Sequence, residues 1–322
     1  MNHPRRGMLL VLALVAIALG LAACGEEEEP VPGPAGEPAG NAIERNPANA
    51  GKSVTVGSKN FTEQYVLGQI YAQALEAAGY KVKTELNLGS EQIAFRALKS
   101  GQIDGYPEYT GTSLTSFFKV KVQDVPKDPA QAYEQARAEY QKLGITALPQ
   151  APFDNTYRIG MTKATHRKLG GITKTSELKG KSQDLVINGF PECRQRIDCL
   201  LGVERFYGLK FKRFLANESK YQVLDQGEAD LAFVFTTDGN LSTGKYVTLE
   251  DDKRIFPPYH ISFGIKEQKL RDLGPDAQKV IVAVQEPLTE KVMQELNARV
   301  DLRKQKPAKV AADYLREEGF VR

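Results

Sequence analysis

The sequence predicts an α/β fold built as two lobes of similar architecture. Short β runs alternate with helical stretches that end at glycine, the order that implies helices packed on a largely parallel sheet. The unit Leu98-x-x-Gly101-x-Ile-Asp104 returns as Leu224-x-x-Gly227-x-Ala-Asp230, one copy in each half of the chain. Each copy reads as a helix end, a glycine stop and an Asp leading into a strand. Each strand then runs into a Thr/Gly-rich turn, Tyr109-Thr-Gly-Thr112 and Thr236-Thr-Asp-Gly239.

The elements follow in order. Arg5 and Arg6 precede an apolar run from Met8 to Leu21, short for a membrane span, which ends Leu21-Ala-Ala-Cys24. Residues 1–23 therefore read as a bacterial lipoprotein signal peptide, with Cys24 as the lipidated first residue of the mature chain. Residues 24–52 are rich in Glu, Pro, Gly, Ala and Asn and read as a disordered linker. Folded protein is expected from about Ser53, which leaves about 270 residues, enough for two lobes.

Val54–Val56 is a strand, Gly57–Asn60 a turn, and Phe61–Ala78 a helix with Asn60 as N-cap, Glu63 as its capping-box partner and Gly79 as its stop. Tyr80–Leu88 alternates as a strand, Glu91–Lys99 is a helix stopped by Gly101, and Ile103–Tyr106 is the next strand. A helix from Pro129 leads to strand Ile145–Leu148. The second series has strands at Arg158–Met161, Leu185–Ile187, Leu231–Phe235 and Tyr246–Leu249, with helices at Cys199–Tyr207 and Glu218–Gln226. Pro257-Pro258 interrupts regular structure before strand Ile261–Ile265, and Pro275–Glu318 is helical with breaks near Pro287 and Pro307. Two such lobes on an exported, tethered chain suggest a clamshell that closes on a ligand.

Composition narrows the function. The formal charge of +3 falls to +1 when Arg5 and Arg6 leave with the signal segment, and no lysine-rich run occurs, so nucleic acid is not an expected partner. With Cys24 lipidated, Cys193 and Cys199 remain, six residues apart in an oxidising compartment, and a disulfide is expected. The rival, a metal or nucleophile site, has only His166 and His260 to draw on in the mature chain. No metal, cofactor or catalytic centre is expected. The segment Tyr106-Pro-Glu-Tyr-Thr-Gly-Thr112 crowds tyrosines, a carboxylate and hydroxyls at a strand end. It reads either as a cleft wall, where tyrosine faces could hold a cation, or as a turn with core tyrosines.

Gly57-Ser-Lys-Asn-Phe-Thr-Glu-Gln64, Tyr106–Thr112, Asn155-Thr-Tyr157, Phe235-Thr-Thr-Asp-Gly239 and Phe256-Pro-Pro-Tyr259 together resemble the OpuAC/ProX-type substrate-binding proteins. These serve ABC importers for glycine betaine, choline, carnitine and related quaternary-amine osmoprotectants. The resemblance runs from Val54 to Arg322. It implies a type II periplasmic-binding-protein clamshell with a ligand cleft between lobes, residues 53–153 plus 260–322 in one lobe, 154–259 in the other, and two crossover strands as hinge. It also implies an ABC permease as partner.

The resemblance assigns Tyr109, Tyr157, Phe235 and Tyr259 to an aromatic cage. A trimethylammonium group has no N–H to donate, so stacked π faces select it, each desolvated contact being worth up to ~2 kcal/mol. Phe235 stands where many relatives carry Tyr. Lys59, Thr112 and Arg196 match the family's contacts to a ligand carboxylate. Arg196 is chosen over Arg194 because the family places an arginine two residues before an Asp, here Asp198. Glycine betaine fits this set. Choline, carnitine and ergothioneine are the alternatives, and a sensory or scaffold lipoprotein is a more distant one.

Overall fold

The structure is a computed structural model that describes residues 42–322. The expected signal peptide, the lipidation site Cys24 and the linker as far as residue 41 lie outside the described residues. The last part of the expected linker is corrected: residues 42–52 are held on the fold. Ile43 N donates to Phe320 O at 2.9 Å, Asn46 N to Ala78 O at 3.1 Å, and Lys52 Nζ to Leu273 O at 2.9 Å. Composition alone missed this because the anchoring is by backbone bonds, polar side chains (Asn46, Asn49 and Lys52) and one apolar residue, Ile43, packed on the core.

Among the described residues ten strands make two sheets. They are β1 (Ser53–Gly57), β2 (Lys81–Glu85), β3 (Gly105–Tyr109), β4 (Ile145–Ala147), β5 (Tyr157–Thr162), β6 (Val186–Gly189), β7 (Arg213–Ala216), β8 (Leu231–Phe235), β9 (Tyr246–Leu249) and β10 (Ile261–Lys266). The first sheet runs β2-β1-β3-β10-β4 and the second β7-β6-β8-β5-β9. Neither is mostly parallel. In the first, β1 lies parallel to β2 and β3, but β10 is antiparallel to β3 and β4. In the second, β6 lies parallel to β7 and β8, while β5 is antiparallel to β8 and β9. The antiparallel strands are those beside the passages between sheets, and strand sense there cannot be read from local periodicity. The edge strand β7 is not legible in the sequence, because its four residues are all exposed or half-buried and carry no clean alternation.

The helix Thr62–Ala77 buries Val66, Leu67, Ile70, Tyr71, Ala74 and Leu75 and packs against the C-terminal helix Pro307–Glu317. It starts at Phe61 without a side-chain cap, so the Asn60–Glu63 capping box does not form. Glu63 is turned into the protein instead. Proline opens the helices Pro129–Gln141, Pro275–Gln285 and Pro307–Glu317, where its missing N–H costs no intrahelical bond.

The chain crosses between sheets twice, from β4 to β5 and from β9 to β10, and the two passages pair at an antiparallel bridge, Asp154 with His260. Asn155 N donates to Tyr259 O at 3.2 Å and Tyr259 N to Asp154 Oδ1 at 2.7 Å. The helix Glu290–Asp301 leans on the second sheet's turn so closely that a Cβ at Gly239 would lie 2.4 Å from Ala298 N. Glycine is thus required there by close approach.

Candidate ligand-binding cleft

Strand ends build the site. Tyr109 is the last residue of β3, and Tyr259 lies two residues before Ile261, which pairs with Tyr109. Tyr157 opens β5 directly opposite Phe235, which closes β8. Antiparallel pairing thus brings two rings together from positions 78 residues apart. Tyr157 lies 4.9 Å from Phe235 and 5.6 Å, edge-on, from Tyr259. Phe61 joins the first lobe's wall to the second, 6.1 Å from Tyr109 and 5.6 Å from Phe235. Phe190, just past the end of β6, stacks 6.1 Å from Phe235.

All seven expected ligand-contact residues line this one cleft, together with Phe61, Phe190, Asn155, Glu91 and Glu192. The enclosed space is about 40 Å³, room for about three waters. Wider openings of about 700 Å³ and 710 Å³ share walls with it, the first at Phe61, Asn155, Phe190 and Phe235, the second at Glu91, Glu192 and Arg196. Phe61 lay inside a motif that the sequence singles out, but it reads there as the first residue of a helix. Phe190 carried no signal beyond its place after a strand.

The segment after Tyr109 is tightly specified. Thr110–Thr112 turns into a π-helical stretch, Ser113–Phe117. A Cβ at Gly111 would meet Pro258 O at 2.6 Å and Tyr259 Cε1 at 2.9 Å, so only glycine lets this turn pack on the Tyr259 wall. Thr110 Oγ1 also donates to Pro258 O at 3.0 Å.

The two cations expected at a ligand carboxylate already hold internal ones. Lys59 Nζ pairs with the Glu108 carboxylate, both groups buried, and stands 4.3 Å from the centre of the Tyr109 ring. Burial pushes the Lys59 ammonium down, and Glu108 opposes that shift. Arg196 grips Asp198 with two bonds, Nε to Oδ1 at 2.9 Å and Nη2 to Oδ2 at 2.6 Å. Its Nη2 reaches Thr112 Oγ1 at 3.4 Å, its Nη1 lies 3.6 Å from Glu91 Oε2, and its Cζ is 6.0 Å from the centre of the Tyr157 ring. Arg194 points elsewhere, over Phe214 at 5.2 Å. Burial pushes the Asp198 carboxyl up, but Arg196 together with the Tyr259 and Thr115 hydroxyls outweighs it and leaves the group below its ordinary value. Asp198 also accepts from Thr115 Oγ1 at 3.0 Å and Tyr259 Oη at 2.7 Å, so one carboxylate ties elements of both sheets.

Cys193 and Cys199 are bonded, with Cα atoms 5.3 Å apart, and both are buried. The bridge closes the loop that carries Arg196 between the turn Pro191–Gln195 and the helix Leu200–Tyr207.

Two α/β lobes linked by paired crossovers around an aromatic-walled cleft define a two-lobed substrate-binding protein. Residues 52–317 match the family described as the substrate-binding domain of ABC-type glycine betaine transport systems, and the chain belongs to that family. It is 33% identical over 282 residues to a glycine-betaine-binding protein of Pseudomonas aeruginosa, covering 84% of this chain and 89% of that one. It is 30% identical over 290 residues to the glycine betaine-binding protein YehZ of Escherichia coli, covering 86% and 94% respectively. A solved structure of a glycine betaine/carnitine/choline ABC transporter superposes with a TM-score of 0.67 at 27% identity, covering 82% of this chain and 98% of that chain. These relatives are substrate-binding proteins, not enzymes. Among the described residues no helix is long and apolar enough to cross a membrane.

Proposed function

We propose that the protein captures glycine betaine, or a related quaternary amine, outside the cytoplasm and delivers it to an ABC permease. The observation that carries this is the convergence of Tyr109, Tyr157, Phe235 and Tyr259 on one cleft from four separate strands or strand ends. Four π faces around one space suit a diffuse cation without N–H groups. The 40 Å³ cleft is tight for such a head group, so entry parts the walls about the crossover segments at Asp154 and His260. Residues 53–153 with 260–322 then act as one lobe and 154–259 as the other.

Lys59, Thr112 and Arg196 serve the carboxylate of betaine in this reading. A second reading is favoured by their internal pairing. Lys59 already has Glu108 and Arg196 already has Asp198, while Glu91 and Glu192 add further acid to the walls. That balance suits a quaternary amine without a carboxylate, such as choline. Titration calorimetry with glycine betaine, choline, carnitine and ergothioneine decides. Betaine is expected to bind most tightly. Choline ahead of betaine selects the second reading, and no binding tighter than about millimolar for any of them, an affinity of about 4 kcal/mol, refutes the cage.

Lipidation at Cys24 would tether the protein to the membrane face through the chain that follows. Labelled palmitate is expected to enter the wild-type protein and not Cys24→Ser, whichever fraction the uncleaved variant is found in. Equal labelling of the two would remove the lipid anchor from this account.

A further inference from the structure

Glu63 is the buried carboxylate that the binding scheme leaves unused. It is 2% exposed, and its neighbours donate without compensating its charge. Tyr109 Oη donates to Glu63 Oε1 at 2.7 Å, Asn155 Nδ2 to the same oxygen at 2.7 Å, and Asn297 Nδ2 to Oε2 at 3.1 Å. The Thr237 hydroxyl also faces it. Two of these donors are amide nitrogens that cannot accept, so the arrangement suits the ionised form. Burial pushes the group above the ordinary carboxylate range, and these hydrogen bonds offset only part of that rise. Among the described residues no Lys, Arg or His forms a salt bridge with it.

The other cage tyrosine bonded to an acid makes the contrast. Tyr259 donates to Asp198, but Arg196 holds that carboxylate in a bidentate pair. Its charge is largely spent there. Glu63 has only neutral partners, so its field falls on the Tyr109 hydroxyl. A phenol that donates to a carboxylate gains phenolate character, which raises electron density on the ring and deepens its attraction for a cation. One cation, Lys59 Nζ, held by Glu108, already stands 4.3 Å from the centre of the Tyr109 ring. An unpaired buried carboxylate is costly to the fold, and a neutral acceptor would satisfy the Tyr109 hydroxyl as well.

We infer that Glu63 is a positioning residue for quaternary-ammonium recognition: through the Tyr109 hydroxyl it orients the ring and strengthens its negative face. The inference rests on the quaternary-amine reading above. The test pairs glycine betaine and choline, each with its carbon isostere, in which an uncharged tert-butyl replaces trimethylammonium and the carboxylate or hydroxyl end is kept. The isosteres share shape and apolar area but carry no head-group charge. Glu63→Gln is expected to weaken whichever quaternary amine the wild type binds more tightly by about tenfold, with its isostere changed by less than about twofold. Tyr109→Phe keeps the ring and the carboxylate but removes the shared hydroxyl, and is expected to give the same selective loss. Equal losses for both members of a pair would reduce Glu63 to a structural role, and no loss in either variant would equally overturn the inference. Failure of the quaternary-amine reading itself is read separately, as absence of binding to the wild type.

Discussion

Tyr157→Ala is expected to weaken quaternary-amine binding by about ten- to a hundredfold. The ring stands at the centre of the aromatic wall, against Phe235, Phe256 and Tyr259 at 4.9, 5.6 and 5.6 Å. Its removal deletes one π face and loosens two others, Phe235 and Tyr259, along with Phe256 behind them. A desolvated cation–π contact is worth up to ~2 kcal/mol, and every 1.4 kcal/mol is a decade in affinity. Lost packing supplies the rest. Stability falls too, since truncating a buried aromatic costs about 3–5 kcal/mol where the site cannot collapse. Phe233→Ala separates the two effects. Phe233 touches the Tyr157 ring at 6.2 Å from the core side and does not line the cleft. That variant should lose stability while keeping affinity within a few-fold, measured on protein that is still folded. Equal affinity losses in the two variants would mean that Tyr157 acts by holding the sheet together.

What the sequence made legible follows from where the physics is local. Glycine stops, proline starts and strand alternation are nearest-neighbour effects, and they located most helices and strands, although Lys81–Glu85 is shorter than the Tyr80–Leu88 run suggests. Motif resemblance supplied the seven candidate contact residues, which the fold gathers on one cleft. Pairing across distance was not legible. Nothing near Lys59 in the chain shows that Glu108, 49 residues on, neutralises it. Asp198 entered the sequence argument only as a marker for Arg196, yet it accepts from Arg196, Thr115 and Tyr259 at once. Glu63 has the spacing of a capping box, and a local rule assigns it there. Tertiary donors from Tyr109, Asn155 and Asn297 outcompete that role. Charges read one at a time therefore overstate how much of the cleft is free to meet a ligand carboxylate.

Arg196→Ala is expected to cost about 3–5 kcal/mol of stability, beyond any loss of binding, because it leaves Asp198 buried with only hydroxyl partners, Thr115 and Tyr259. Arg196→Lys should rescue poorly, since a lysine cannot reproduce the fork that meets both Asp198 oxygens. The pH dependence distinguishes this origin from simple loss of packing. In the wild type the folded Asp198 carboxyl lies below its unfolded value, which is about 3.9. The pair's stabilisation is therefore present above that unfolded value and is lost as pH falls through the lowered folded one. Without Arg196, burial is the largest influence left and pushes the carboxyl up, so the variant gains stability as acid protonates Asp198. The stability gap between wild type and variant should thus narrow as pH falls from about 7 to about 4, in denaturant titrations at each pH. Arg196→Met with Asp198→Asn should recover most of the loss at neutral pH, because the carboxylate in the bidentate pair is gone and only the looser contact to Glu91, at 3.6 Å, stays unmade. A gap that is constant with pH, or a double variant as unstable as Arg196→Ala, would place the cost in packing and leave the ion pair without the role assigned to it.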